Sequence, residues 1–191
     1  MSAVPDLPGF PDPVTDAQAA FRAILWAQSH PGAIVAPAPT LAVPPPLPIA
    51  AGALLLTLAD ADTGLWLDPI FAPARAWLRF HTGAPEVPLS RAGFVLAAGL
   101  PALDTIGLGS DEAPQDGASL ILPVAALGEG TRWRLSGPGL AASTDFAAAL
   151  PEGFAAFWAA NHALFPRGVD VFLCAGPRLA ALPRSAALEV A

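Results

Sequence analysis

Apolar residues gather in runs divided by short polar or proline-rich breaks, and the runs carry two different periods. Between Gly52 and Leu67 a wholly apolar segment passes through Asp60, Asp62, Thr63 and Gly64 into Leu65-Trp66-Leu67. Leu54, Leu55 and Leu58 follow helical spacing, whereas the second run is long enough only for a strand. Turn formers lie between them, with short side chains able to bond nearby backbone groups. The spacing predicts a fully buried helix over residues 49–59, a turn, and a core strand. No charge occurs from Pro31 to Ala59, so a membrane span has to be weighed. A span needs about 20 apolar residues in unbroken helix. Pro44, Pro45, Pro46 and Pro48 interrupt this run, which leaves a core helix.

The rest of the chain alternates in the same way. Residues 1–15 are proline-rich and read as an extended N-terminal arm, followed by one α/β domain over residues 16–191. Thr15 or Asp16 is placed to cap a helix with Phe21, Ile24 and Leu25 on one face, ending before Pro31. Residues 33–35 read as a short strand, 74–80 as a helix stopped at Gly83, 92–97 as a strand and 103–108 as a short helix. Residues 118–127 read as a strand whose internal Pro123 implies an edge or a bulge. Gly128-Glu129-Gly130 reads as a hairpin turn into Thr131–Leu135, where Arg132 and Arg134 alternate with Trp133. That alternation leaves one face wet or turned to a partner. A helix from Pro151 to about Leu164, a strand around Cys174 and a short strand at 187–190 complete the pattern. The fold class is α/β, a three-layer mixed sheet with helices on both faces.

Composition narrows the chemistry. All nine basic residues are arginine against sixteen acidic ones, for a net charge of −7, which argues against nucleic-acid binding. The absence of lysine excludes Schiff-base catalysis and a P-loop lysine. Only 13% of residues are charged and 54% are hydrophobic, so part of the surface is expected to be covered by a partner. Cys174, alone of its kind, excludes an internal disulfide, and the acidic, proline-rich start is unlike a signal sequence. The expected location is cytoplasmic.

Three constellations could carry chemistry. Asp60-x-Asp62-Thr63 suits the nucleophile loop of a phosphatase, a metal-binding Asp-x-Asp, or a capped turn, and the missing lysine favours the turn. Arg79 and His81 end a helix, where they either bind an anion or compensate the helix terminus. Arg167 and Asp170 flank a turn and could pair with each other. His30, His81 and His162 have no metal-ligand spacing, and no catalytic residue can be named.

Phe21-Arg22 with Ser29-x-Pro31-Gly32, Leu54 to Thr63, Leu78-Arg-Phe-His-Thr82, Gly117-Ala118, Leu135-Ser-Gly-Pro-Gly139, Phe165-Pro-x-Gly-Val-Asp170 and Leu182-Pro183-Arg184 stand in one order. Together they resemble the PhnH family, the H subunits of the bacterial carbon–phosphorus lyase system for phosphonate breakdown. The resemblance implies a shortened fold of pyridoxal-phosphate-dependent transferases without the cofactor site, and no cofactor. It implies work with the G, I and L subunits, which displace adenine from ATP with a phosphonate. The product would be a ribose 1-methylphosphonate 5-triphosphate, later cleaved by the radical J subunit. A homodimer is expected when the partners are absent, with ATP and phosphonate met only through the complex. Within that frame Arg79, His81 and Arg167 are candidate anion contacts. Arg132, Trp133 and Arg134 are candidate interface residues, and Asp60, Asp62 and Thr63 are turn residues. The alternatives are a purely structural assembly subunit and an independent phosphatase or hydrolase.

Overall fold

The computed structural model describes residues 7–191; the first six residues of the expected arm lie outside them. Helix α1 (Pro13–Ser29) starts earlier than the sequence suggests, because Asp12 rather than Thr15 or Asp16 is its cap. The Asp12 carboxylate accepts from the amides of Val14 and Thr15 at 3.2 and 3.1 Å, and Pro13 needs no amide at the first helical position. Asp16 instead returns the favour, its carboxylate accepting from the Asp12 amide at 2.9 Å. The buried face of α1 is Ala20, Ile24 and Ala27, and Phe21 and Leu25 are exposed. Two alanines on one turn-spaced line let the helix approach its neighbours closely, which a phenylalanine there would prevent.

Helix α2 (Ile49–Leu58) is the buried helix the leucine spacing predicts, with residues 50–55 all enclosed. Strand β1 (Leu65–Leu67) follows the acidic turn, and a 3-10 turn at Pro69–Ala74 leads into α3 (Arg75–Thr82). After β2 (Phe94–Leu96) the expected helix at 103–108 is only a 3-10 turn over Leu103–Thr105. Then come β3 (Ser119–Pro123), β4 (Leu127–Ser136), β5 (Thr144–Ala148) and α4 (Phe154–His162). Strands β6 (Asp170–Ala175), β7 (Arg178–Leu182) and β8 (Ala187–Val190) close the described chain. The strand expected at 33–35 is a single bridge, Val35 exchanging two 2.8 Å backbone bonds with Leu179.

Five strands form a mixed sheet in the order β1-β2-β3-β6-β7, parallel except for the β6–β7 hairpin. A second, antiparallel sheet has the order β5-β4-β8. Side chains alternate across the large sheet, so each face builds its own core. Phe94, Leu96, Ile121 and Cys174 pack with α1, α2 and α3, while Val95, Leu120, Leu122 and Leu173 pack with Trp133, Phe146 and Trp158. Helices therefore cover one face, and the small sheet together with α4 covers the other, in place of the helices expected on both.

Two strand expectations are corrected. β3 is the central strand of its sheet rather than an edge, and Pro123 is its last residue, where a missing amide costs little. Gly128-Glu129-Gly130 is not a hairpin turn but a bulge inside β4, where Leu127 and Thr131 both face Ala148. The hairpin of the small sheet turns later, between β4 and β5. Among the described residues no helix is long and apolar enough to cross a membrane.

Candidate functional site

Each residue singled out by the sequence has a definite place. Asp60 closes the turn after α2, its carboxylate accepting from the Asp62 amide at 3.0 Å and the Thr63 hydroxyl at 2.6 Å. These bonds, the hydroxyl first, hold the Asp60 carboxyl below its ordinary value of 3.8. A carboxyl lowered by folding stabilises the native state above 3.8, and the effect is lost as pH falls through the lower folded-state value. Asp60→Asn should therefore melt below the natural chain at pH 7, with the gap shrinking on acidification below 3.8. Paired thermal melts at pH 7 and pH 3 check this, and an unchanged gap at pH 3 would contradict it.

At the end of α3, His81 sets its Nε2 3.2 Å from the Leu7 carbonyl, which also accepts the Trp77 indole N–H at 2.9 Å. The pair clasps the N-terminal segment against the helical layer. Arg79 is exposed beside a small cavity of 50 Å³ shared with Arg75 and Glu86, and Arg75 is the one paired to Glu86, at 2.7 Å. Arg167 follows α4 on the opposite side of the large sheet and pairs with Asp111 at 3.1 Å, not with Asp170. The structure does not bring Arg79 and His81 to Arg167.

Trp133 is turned inward and is only 7% exposed, its indole N–H reaching the Ala148 carbonyl at 3.4 Å. It is a core residue and offers no anchor to a partner, because the alternation that exposes Arg132 and Arg134 buries the residue between them. Arg134 pairs with Asp145 at 3.6 Å across to β5. Arg132 lines an open cleft of 290 Å³ with Gly32, Ile34, Gly128 and Phe146.

The remaining titratable groups are tied to structure. His30 stacks on Trp26 with ring centroids 3.6 Å apart, and its Nδ1 faces both the Ser29 hydroxyl and the Trp26 carbonyl. An Nδ1 that donates to that carbonyl has no lone pair left to take the serine's proton. Burial pushes the Cys174 thiol far above its ordinary range, so it carries no thiolate near neutral pH. Among the described residues no group of three or more His, Cys, Asp or Glu could hold a metal ion.

A pair the sequence reading missed is the best-built polar cluster in the molecule. The Asp170 carboxylate takes the Arg184 guanidinium at 2.8 and 3.3 Å and the Arg184 amide at 2.7 Å. The same guanidinium donates to the Pro114 carbonyl at 2.6 Å. It packs against Gly117, where a Cβ would come within 2.6 Å of it. Next to it the fully buried Asn161 reads both backbone groups of Val169, at 2.9 and 2.8 Å. The signal was the β6–β7 hairpin: Val171 faces Leu182, which brings Arg184 beside Asp170. A second junction joins Gly139 to Ser29 and Pro31, and Gly32 to Leu135.

The class of protein is then a mixed α/β domain whose short motifs are joints between distant segments. Residues 8–189 match the family described as PhnH, bacterial phosphonate metabolism protein. A Rhizobium meliloti (strain 1021) protein named alpha-D-ribose 1-methylphosphonate 5-triphosphate synthase subunit PhnH is 38% identical over 187 residues, 94% of each chain. A Stutzerimonas stutzeri protein named putative C-P lyase subunit protein HtxG is 35% identical over 176 residues, 88% of this chain and 83% of its own. The chain belongs to the PhnH family.

Proposed function

We propose that the chain is the pyridoxal-free H-type subunit of a cytoplasmic carbon–phosphorus lyase assembly, needed to form ribose 1-methylphosphonate 5-triphosphate from ATP and a phosphonate. The observation that carries this reading is 38% identity across 94% of both chains with a synthase subunit. Its partners would be the G, I and J subunits, with L in the reaction, and a second copy of itself when they are absent. Exposed apolar side chains support a covered surface, with Val14 79%, Phe80 72% and Trp26 55% open to solvent. The largely parallel sheet is compatible with the transferase-like fold implied by the motifs, and without lysine no internal aldimine can form.

A purely structural role is the second reading, favoured by the motif residues that lock segments together at Asp170, Arg184 and Gly139. An independent phosphatase is disfavoured, since Asp60 is held in its turn by Thr63. Co-expression with the G, I and J subunits should yield one co-purifying complex, and deletion should abolish growth on a phosphonate as sole phosphorus source. A tagged chain that captures none of them, with growth surviving the deletion, would overturn the assignment.

A further inference from the structure

We infer that the cleft between the β4 bulge and residues 32–34 is an oxyanion site, fitted to a phosphate-type group such as a polyphosphate chain. It deepens the subunit reading, on which it rests for the choice of phosphorus oxyanion, by giving this chain a substrate contact of its own. The cleft, 290 Å³, is lined by Gly32, Ile34, Gly128, Arg132, Asp145 and Phe146 among others. Arg178 reaches its rim, with Nη1 3.9 Å from where a Gly128 Cβ would stand. Among the described residues neither Arg132 nor Arg178 takes part in an ion pair.

Two of the nine arginines thus border one cleft on a chain whose net charge is −7. The carboxylate on the wall, Asp145, already faces Arg134 at 3.6 Å, so its charge is offset. Free guanidinium forks bind tetrahedral phosphorus oxyanions through paired, charge-assisted hydrogen bonds. The backbone adds to this. Gly128, Glu129 and Gly130 are looped out of the ladder, with no residue opposite them on β5. Gly128 and Gly130 have φ of +84° and +102°, a conformation glycine adopts without strain. Bulges are over-represented beside binding sites, where they end pairing and re-aim side chains. Glu129 is the one charge in the bulge that opposes an anion, which makes it a useful probe.

The test is calorimetric titration of the full chain with inorganic tripolyphosphate at low and moderate salt. We expect saturable one-to-one binding that weakens with salt. R132Q and R178Q should each weaken it about tenfold or more, the loss of one charged hydrogen-bonding group. E129Q should tighten it several-fold, and R91Q, beside β1 at the opposite edge of the large sheet from β7, should leave it unchanged. Thermal melts of the variants should match that of the natural chain, since all four side chains are exposed. No saturable binding, or R132Q and R178Q binding like the natural chain, would overturn the inference. A chain that joins the complex but ignores tripolyphosphate loses this inference alone. One that binds it but captures no partner loses the subunit reading alone.

Discussion

Asp170→Ala should lower stability by about 3 kcal/mol, the low end for breaking a buried ion pair by removing one partner. The low end applies because the Arg184 and Asp170 side chains keep 12% and 20% of their surface, so water relieves part of the stranded charge. Three hydrogen bonds to the carboxylate disappear together, one of them from the Arg184 amide. The guanidinium left behind still has the Pro114 carbonyl but no counter-charge. For a chain of this size the loss corresponds to a fall of roughly 6–12 °C in melting temperature. Asp170→Asn keeps an acceptor for the Arg184 amide and should cost about half as much. Arg134→Gln, which breaks the exposed pair with Asp145, should cost under about 1 kcal/mol. Urea and thermal unfolding of the three variants would decide it. If Asp170→Ala melts within a degree or two of the natural chain, the cluster is not the joint described here.

How much of this was legible depended on whether the decisive contact was local. The leucines of α2 are enclosed on every side, so an apolar run alone locates the helix. Arg132, Trp133 and Arg134 follow the strict alternation of a half-buried strand, and the sequence shows that one of the two sets is solvated. It does not show that the tryptophan belongs to the other. Asp170 has Arg167 three residues away, yet its partner is fourteen residues away across a hairpin. That choice follows from the register of β6 on β7, which is set by packing of the whole sheet. Gly128-Glu129-Gly130 looks like a two-strand turn because the same positive-φ glycines serve a turn or a bulge equally well. Only the partner strand distinguishes them. Pro123 misled for a similar reason: a residue without an amide harms a central strand in its middle but not at its last position. The Arg132 cleft needed a third element, residues 32–34, which no local pattern brings near β4.

The same non-local logic makes Gly139→Ala the other large effect expected. Ser136 to Gly139 resembles a loop rich in backbone freedom, but Gly139 is clamped from two directions. Its φ is +87°, so alanine there meets the left-handed penalty of about 1–2 kcal/mol. A Cβ would also fall inside contact distance of the Ser29 carbonyl oxygen and 3.0 Å from the Pro31 ring. That oxygen is backbone at the end of α1 and cannot rotate away, so the helix end or the loop must shift, a further 1–3 kcal/mol or so by the usual cost of overpacking. The two together come to about 3 kcal/mol. Gly153 separates them, because its φ is +80° and nothing lies within 4 Å of an added Cβ. Gly153→Ala should therefore show the backbone penalty alone, about 1 kcal/mol. Gly99, with open space and no left-handed backbone, should tolerate alanine with little change. Unfolding free energies should rank Gly139→Ala well below Gly153→Ala, and Gly153→Ala below Gly99→Ala. Equal losses at Gly139 and Gly153 would mean that α1 yields freely at Ser29, and the joint between α1 and the small sheet would then contribute no rigidity.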